Sequence, residues 1–299
     1  MKKLLFALLY HAGITRLSSW YFRKRVIFLC YHGVTDRPHP SPADSKGLHV
    51  NSQRFARHLD YLQSRYHLIS LKGFIEAGRE GKALPNYSLV LTFDDGFRNF
   101  LTVAAPLLAK RNIPATVFLI TDRAGEKTNG RLESGWSTED DQRYLSWDEA
   151  RLLQSQGFEF GSHTCSHTGL LTISPIESRR ELKHSHDELI KNLSIENPTL
   201  SYPKGQYSDL LAKDARTVGY ACAVTTDRGV NERDHDLFTL GRTLVGDFDD
   251  NASFAVRVSG LRWMLFKTFS FFMPSRRYQA PTKPPVTEPY TGEIYEISN

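Results

Sequence analysis

Short apolar runs that alternate with amphipathic segments set the fold class of this chain. The clearest runs are Val26–Tyr31, Ser88–Phe93, Ala115–Ile120 and Phe158–Ser162. Alternation of this kind indicates parallel strands joined by right-handed helical crossovers. Because the pattern contains roughly six or seven strands and no internal repeat, we expect an α/β fold that is barrel-like rather than an open sheet.

The run Ser88–Phe93 ends in two adjacent carboxylates, Asp94 and Asp95, and Gly96 follows them. Glycine marks the point at which the backbone turns, so the acids stand at the carboxyl end of a core strand, where α/β proteins place their chemistry. Adjacent acids that lose solvent repel one another. We therefore expect a partner of opposite charge here, and a metal ion is the favoured one.

Two histidines follow the run Phe158–Ser162 in the same way. His163 and His167 are four residues apart, a spacing that places both imidazoles on one side of a helical turn, where they can share a metal ion. With Asp95 they would form a set of two histidines and one carboxylate, which leaves coordination positions for water and a substrate oxygen. Asp94 could then deprotonate that water.

Each half of this constellation also has a structural interpretation. A lone histidine pair at this spacing is often no metal site, and adjacent aspartates at a strand end often cap a helix. Their presence together at two strand ends favours the metal site. Cys165 could bind a soft metal, but on a helical turn it would point away from the histidines, so we assign it to packing. The remaining histidines are expected to be solvated: His11, His39, His49, His58, His67, His184, His186 and His235.

The stretches Thr92–Gly96 (Thr-Phe-Asp-Asp-Gly) and His163–His167 (His-Thr-x-x-His) together resemble the polysaccharide deacetylases, the NodB-homology or carbohydrate esterase family 4 enzymes. The resemblance covers roughly residues 26–245. It implies a distorted (β/α) barrel, a divalent metal that is usually zinc, and hydrolysis of an acetyl group, normally the N-acetyl of an amino sugar. By position it implies that Asp94 is the base and that the metal ligands are Asp95, His163 and His167.

The third motif of that family, Arg-x-Pro-Tyr-Gly, is present in altered form at residues 201–205. The resemblance assigns the wall of the substrate groove to Tyr202, Pro203 and Gly205. Ser201 stands where the family has the arginine that orients the catalytic aspartate. We expect Arg242 to reach in and substitute for that arginine, and full activity in an Arg242→Ala variant would contradict this expectation.

The family usually ends with a strand carrying Leu-x-His, whose histidine protonates the leaving amine. No such motif follows Tyr220, but Leu29–His32 stands at the end of the first predicted strand. The chain therefore resembles the permuted branch that includes poly-N-acetylglucosamine deacetylases, in which the N-terminal strand takes the place of the last one. This resemblance makes His32 the general acid; the alternative is a structural histidine that holds the strand end.

Aromatic residues near the predicted strand ends have two interpretations. Tyr31, Phe93 and Tyr202 could stack on sugar faces, or they could serve packing. We also expect a backbone N–H, that of Tyr202, to stabilise the oxyanion formed during hydrolysis.

The predicted substrate is an N-acetylated polysaccharide or a lipid-linked glycan. A metal-dependent O-acetyl esterase would use the same residues, and release of a hydroxyl instead of an amine would reveal it. A non-catalytic carbohydrate-binding relative is another class, favoured only by the altered third motif. A nuclease or phosphatase is disfavoured because the phosphate-binding Arg or Gly-rich loop is absent.

The ends of the chain bear on location. The net charge is +5 and the pI is about 9.0, without a long basic run that would indicate nucleic acid. We expect a basic amphipathic segment over residues 1–25, the deacetylase domain over 26–260, an apolar helix over 261–273 and a disordered tail over 274–299. Either terminal segment could touch lipid. The three cysteines imply no disulfide framework. These features favour a cytoplasmic or peripheral-membrane location, with export left open.

Overall fold

The computed structural model describes residues 2–36, 47–124, 143–227, 229–232, 235–247 and 250–270. The strands within these ranges are β1 (Ile27–Tyr31), β2 (Gly33–Thr35), β3 (His49–Asn51), β4 (His67–Ile69), β5 (Ser88–Phe93), β6 (Thr116–Leu119), β7 (Glu159–Ser162), β8 (Leu200–Ser201), β9 (Ala223–Val224) and β10 (Thr243–Leu244). The helices are α1 (Lys2–His11), α2 (Ile14–Tyr21), α3 (Ser52–Gln63), α4 (Leu71–Arg79), α5 (Ala105–Ala109), α6 (Thr121–Ala124), α7 (Trp147–Ser155), α8 (Pro175–Leu193), α9 (Asp209–Val218), α10 (Asn251–Val258) and α11 (Leu261–Ser270).

Parallel pairing joins eight strands into one sheet in the order β10-β1-β5-β6-β7-β8-β9, with β4 also beside β5. The segment before β10 brings the two edges of this sheet together. Leu240 exchanges backbone hydrogen bonds with Ala223 and Thr225 at β9, and the next residues, in β10, pair with β1. The predicted distorted (β/α) barrel is therefore confirmed.

The central strands are apolar along their whole length because helices cover the sheet. Every residue of β1 and of β5 is buried. Their register pairs Tyr31 with Phe93, so the residues that follow, His32 and Asp94, leave the sheet side by side. Because the strands run in the same direction, functional side chains from distant parts of the sequence meet at the carboxyl edge of the sheet.

Helix starts follow their capping residues closely. Ser146 and Ser174 each accept a hydrogen bond from the backbone of a glutamate three residues later, and each glutamate bonds back. These capping boxes satisfy orphan N–H groups of the first turn. The helical connection between β5 and β6 is not uniform: a π-helical segment, Phe100–Ala104, precedes the short α5.

The prediction that the remaining histidines are solvated is wrong for His49, His58 and His186, which are buried. His58 lies beside the apolar stripe of α3 and stacks on Phe254 with ring centroids 3.8 Å apart. An imidazole at the edge of such a stripe can stack flat on an apolar neighbour and become buried. The spacing of residues in the sequence does not reveal this burial. His11, His67 and His184 are exposed as predicted, His235 is half-buried, and His39 lies outside the described residues.

The N-terminal segment forms two helices, α1 and α2, because Gly13 between them takes a left-handed conformation with φ of 75°. The start of the predicted helix over 261–273 is present as α11, while residues 271–299, with the predicted tail, lie outside the described range. The domain boundaries remain predictions. Among the described helices, none is long and apolar enough to cross a membrane.

Candidate metal and catalytic site

The residues singled out in the sequence meet at the carboxyl edge of the sheet. His32 follows β1, Asp94 and Asp95 follow β5, His163 follows β7, and Ser201 ends β8. The backbone N–H of Asp94 still donates to Tyr31 O at 2.9 Å, so this carboxylate is held in line with the strand. Parallel strands whose ends lie at one edge thereby supply every member of the cluster.

The two aspartates are separated by a turn in the backbone. Asp95 has a φ of 72° and Gly96 a φ of 71°, both in the left-handed region. Asp tolerates that region better than most residues, and strain of this kind is frequent at functional sites. A side chain at Gly96 would also place its Cβ 2.6 Å from Leu119 Cδ2. The turn directs Asp95 toward the histidines and leaves Asp94 in the sheet.

Asp95, His163 and His167 form a cluster whose geometry suits a metal ion. Asp95 Oδ1 lies 3.5 Å from His163 Nε2 and 3.7 Å from His167 Nε2. Ligands of a tetrahedral zinc ion at ordinary bond lengths stand about 3.3 Å apart, so both distances from Asp95 are close to this value, and all three atoms lie within 4.8 Å of one another. Asp95 Oδ1 is buried and has no hydrogen-bond partner among the described residues. A buried carboxylate oxygen without a donor, facing two imidazole nitrogens, fits a cation.

The two histidines present unprotonated nitrogens to this point. His163 Nδ1 lies 2.8 Å from Ser201 O, and because a carbonyl can only accept, this nitrogen must carry the proton. His163 Nε2 is therefore the free ligand atom, the arrangement usual for metal-bound histidine. Burial, followed by the neighbouring His163, lowers the pKa of His167 to about 4, with Asp95 opposing. His167 is thus neutral and ready to bind a cation at pH 7.

The prediction that the two histidines share a helical turn is wrong. Residues 163–167 form a loop in which Thr164 and His167 each have a φ of 65°. Glu181 of α8 holds this loop by accepting hydrogen bonds from the backbone N–H groups of Cys165 and Ser166 at 3.0 Å. Cys165 is buried, its thiol donates to the Glu181 carbonyl at 3.3 Å, and it lies outside the His163 and His167 cluster, although its sulfur is within 4.8 Å of possible ligand atoms of Asp122 and His184.

Arg242 binds Asp94 as predicted. Its Nη1 donates to Asp94 Oδ1 at 2.7 Å and its Nη2 to Oδ2 at 2.6 Å, a bidentate pair. Arg242 is 1% exposed and Asp94 3% exposed. Ser201, at the altered motif position, contributes as well, because Arg242 Nη2 donates to its Oγ at 2.9 Å while that hydroxyl reaches Asp94 Oδ2 at 3.3 Å. The arginine is thus supplied by the residue before β10, and the serine hydroxyl contacts both members of the pair.

This pairing fixes the charge of Asp94. Burial alone would raise the pKa of the carboxyl group, but the Arg242 guanidinium, with His163 nearby, outweighs burial and holds the pKa well below its usual range. The pKa of Arg242 is raised in turn, because the attraction of Asp94 outweighs burial. Asp94 is therefore an anion at every pH at which the protein would work. It lies 3.9 Å from His163 Nε2, directly beside the metal cluster.

Strand β1, which pairs with β5, brings two more residues to Asp94: Cys30 lies in this strand and His32 follows it. The thiol of Cys30 donates to Asp94 Oδ2 at 3.3 Å. Atoms of Cys30, His32 and Asp94 that could bind a metal all lie within 4.8 Å of one another. Burial lowers the pKa of His32, with Asp95 and Asp94 opposing, so the imidazole is neutral near pH 7. His32 Nδ1 is buried and has no hydrogen-bond partner in the described parts of the chain.

The altered third motif forms a 3-10 turn after β8, Pro203–Gly205. The Tyr202 ring is buried and stacks on Tyr207 with centroids 5.6 Å apart, and its N–H donates to Val224 O at 3.1 Å. This N–H is therefore not available to an oxyanion, so that prediction is wrong, and the buried ring supports the packing interpretation rather than contact with sugar. The exposed side chain of this turn is that of Lys204.

The other aromatic residues proposed for sugar stacking are also core residues. Tyr31 and Phe93 are 0% and 1% exposed, and their rings stack on each other with centroids 5.4 Å apart. Their position is explained by the packing of adjacent parallel strands.

Sequence reasoning missed three residues that shape the site. Cys30 precedes His32 by two positions, and since side chains of a strand repeat every two residues, that spacing was an available signal. Thr92 Oγ1 accepts from Arg242 Nη1 at 3.0 Å. Glu181, on a helix that follows the histidines, had no recognisable signal, because its role depends on how α8 packs.

Comparisons with known proteins agree with the family that these motifs resemble. A family model described as polysaccharide deacetylase matches residues 81–223, a range that includes the aspartates and the histidine pair but neither His32 nor Arg242. A poly-beta-1,6-N-acetyl-D-glucosamine N-deacetylase of Staphylococcus epidermidis is 28% identical over 206 residues, which are 68% of this chain and 70% of that protein. The protein of the same name from Escherichia coli K12 is 23% identical over 261 residues; the match covers 78% of this chain and 38% of that longer protein.

Among solved structures, the deacetylase PplD of Streptococcus pyogenes, in complex with acetate, superposes with a TM-score of 0.67 at 24% identity. The match covers 78% of this chain and 98% of that one. At this identity the likeness supports the fold alone.

Proposed function

We propose that this chain is a member of the polysaccharide deacetylase family and that it hydrolyses the N-acetyl groups of amino sugars in a polysaccharide or a lipid-linked glycan. One observation carries the proposal: a cation-ready cluster of Asp95, His163 and His167 lies beside a carboxylate, Asp94, that a buried arginine keeps ionised. A pure binding module would need neither a cluster of potential metal ligands nor a buried carboxylate anion beside it.

The three ligands fit a divalent ion, and zinc suits two imidazoles and one carboxylate best. When bound, such an ion polarises the acetyl carbonyl and lowers the pKa of water at the site. The chain supports the ligands from behind: Ser201 O orients His163, and Glu181 holds the loop that carries His167. These supports fix the direction of each nitrogen before anything binds.

Asp94 is the proton acceptor in this proposal. Both of its oxygens are aligned by Arg242, so the carboxylate presents a fixed direction to a water molecule at the metal cluster. An anion stabilised so strongly is a weak base by itself, because efficient general bases have a pKa near the working pH. The acidification of water at the cluster makes up for that weakness.

His32 is the group that protonates the departing amine. Since it is neutral near pH 7 in the resting protein, it must gain a proton before it can donate one. Atoms of Asp94 and His32 lie within 4.8 Å of one another, so the proton that Asp94 has taken can pass to His32 through one bridging water. The histidine then returns to its neutral state when the amine leaves.

The assay for this proposal measures acetate and amine together. Purified protein, loaded with zinc, is incubated with N-acetylglucosamine oligomers, and acetate and free amine are quantified in the same sample. We expect equal amounts of both, lost in Asp94→Asn, which keeps the shape of the side chain. Zinc content should stay unchanged in that variant because Asp94 is no ligand.

Two results would redirect the proposal. Acetate release from O-acetylated glycans without any free amine from the oligomers would identify an O-acetyl esterase. Binding of the oligomers without acetate from any substrate would identify a non-catalytic carbohydrate-binding protein.

A further inference from the structure

Exposed apolar side chains concentrate in one part of the described structure. Seven of the exposed large hydrophobic residues belong to α1 and α2, and two belong to α11: Leu4, Leu5, Leu8, Ile14, Leu17, Trp20, Tyr21, Met264 and Leu265. The other four are spread over α7, α8 and α9: Leu152, Ile176, Ile190 and Leu210. Isolated exposed leucines are ordinary on protein surfaces, whereas a contiguous group marks an interaction site.

On each helix the exposed residues share one face. Leu4 and Leu8 are one turn apart on α1, and Leu17 and Tyr21 are one turn apart on α2. These four side chains are between 61% and 68% exposed. More than half of each therefore faces water.

The opposite sides of these helices are docked on the domain. Ser18 Oγ of α2 donates to Ser259 O at 2.9 Å, and the Phe22 ring packs on Trp263 of α11 with centroids 5.4 Å apart. The helices are thus part of the folded domain. Because α11 lies beside α2, the two ends of the described chain contribute to one surface, which we call the α1–α2–α11 face.

The segments that form this face carry positive charges, two of which meet acids of the domain: Arg25 pairs with Glu232 at 2.6 Å, and Lys3 interacts with Asp250. Residues 1–25 and 261–270 contain no Asp or Glu. Lys3, Arg16 and Lys24 are exposed, and the Arg23 guanidinium lies over the Trp20 ring, 4.5 Å from its centroid. Leucines and aromatic rings can enter the outer part of the acyl-chain region of a bilayer, while neighbouring cations contact its anionic headgroups. Two copies of such a face would instead bring like charges together, which disfavours self-association.

We propose that the α1–α2–α11 face docks the protein on an anionic lipid bilayer. The helices lie along the bilayer surface, with leucines and aromatic rings in the headgroup region and the lysines and arginines at lipid phosphates. This places the enzyme where glycans are made or carried at a membrane. Docking does not involve the residues around Asp94, so lipid binding and acetyl hydrolysis can be measured independently.

The experiment is vesicle sedimentation with the full chain, using phosphatidylcholine with or without phosphatidylglycerol. We expect binding to require phosphatidylglycerol and to weaken with added salt. Leu8→Glu/Leu17→Glu should lower the partition coefficient by at least about tenfold, and Lys3→Glu/Arg16→Glu should do likewise. The matched control, Leu152→Glu/Ile176→Glu, makes the same change at exposed positions elsewhere and should alter binding less than about twofold.

Acetate release from soluble oligomers checks that the variants are folded, and it should be unchanged. The proposal is overturned if the face variants and the control bind vesicles equally, or if neutral vesicles bind as well as anionic ones. It is also overturned if light scattering shows a dimer that Leu8→Glu/Leu17→Glu dissociates while no vesicles bind. Vesicle binding by a protein that releases no acetate would support docking and contradict the proposed activity alone.

Discussion

Replacing Arg242 with Met removes the guanidinium that holds Asp94 while keeping much of the volume of the side chain. The change deletes two hydrogen bonds to the carboxylate, at 2.7 and 2.6 Å, and one each to Thr92 Oγ1, Ser201 Oγ and Thr225 O, at 3.0, 2.9 and 2.9 Å. Asp94 stays buried, and among the described residues the side chains left to donate to it are those of Ser201 and Cys30.

Removing one partner of a buried ion pair costs about 3–5 kcal/mol, because the other charge is left without compensation. Stabilities of whole domains are about 5–15 kcal/mol, so the variant should fold but be far weaker. For a domain of this size the loss corresponds to a fall in Tm of roughly 6–20 °C.

The pH dependence of stability should reverse in sign. In the wild type the pKa of Asp94 lies below its unfolded value, so the contribution of the carboxylate is present above about pH 4 and is lost on acidification below that. Without Arg242, burial dominates and raises the pKa of Asp94 above the unfolded value. The free energy of unfolding should then fall as the pH rises from about 4, because the unfolded chain releases a proton that the folded one keeps.

Turnover should fall for the same reason. A protonated Asp94 accepts no proton, so the activity of Arg242→Met should be low at pH 7. It should recover partly at alkaline pH, because the raised pKa of Asp94 shifts the acid limb of the kcat/KM profile to higher pH. Urea unfolding between pH 4.5 and 8, together with acetate release over the same range, measures both effects with zinc at saturation.

The double variant Asp94→Asn/Arg242→Met is the control. It removes both charges, so most of the lost stability should return while activity stays absent. If Arg242→Met loses less than about 1 kcal/mol and keeps the wild-type acid limb, the guanidinium does not hold the base. If the double variant is as unstable as the single one, the loss comes from packing around Arg242.

Three further outcomes follow from the geometry of the site. His167→Ala should lower zinc affinity by at least about 100-fold in competition with a chelator, and unaltered affinity would remove His167 from the ligand set. His32→Gln should keep its zinc and lose about 10²–10⁴-fold in kcat; normal kcat would make His32 structural. Gly205→Ala should cost about 1–3 kcal/mol in urea unfolding, since Gly205 has a φ of 68° and its added Cβ would overlap Thr226. Wild-type stability there would show that this turn can relax.

Much of the fold was predictable because the apolar runs are continuous. Parallel strands that are covered on both faces read as uninterrupted apolar sequence, and their carboxyl ends meet at one edge. That rule alone placed Asp94, Asp95 and His163 together. Arg242 could be named because a serine at position 201 left the base without its usual partner, and the structure confirms the contact.

Features that depend on tertiary packing were out of reach. The spacing of His163 and His167 fits a helical turn, yet the positive φ of Thr164 and the hydrogen bonds to Glu181 produce a loop. Tyr202 was expected at the groove because of the resemblance of residues 201–205 to the family's third motif, but β8 ends beside β9 and the Tyr202 N–H is used in the sheet. Zinc as the bound ion, the domain boundaries and the cellular location remain predictions.

The position of Arg242 in the sequence has a consequence for how the protein is made. Asp94 and its arginine are 148 residues apart, so a ribosome adding about 5–20 residues per second needs roughly 7–30 s to supply the second after the first. Until then β5 cannot bury its terminal carboxylate as an anion at low cost, and β1 lacks the β10 edge that Thr243 and Leu244 provide. The site and the barrel are therefore completed in one late step. A chain truncated before residue 242 should be unstable and degraded by proteases, instead of being a folded enzyme with reduced activity.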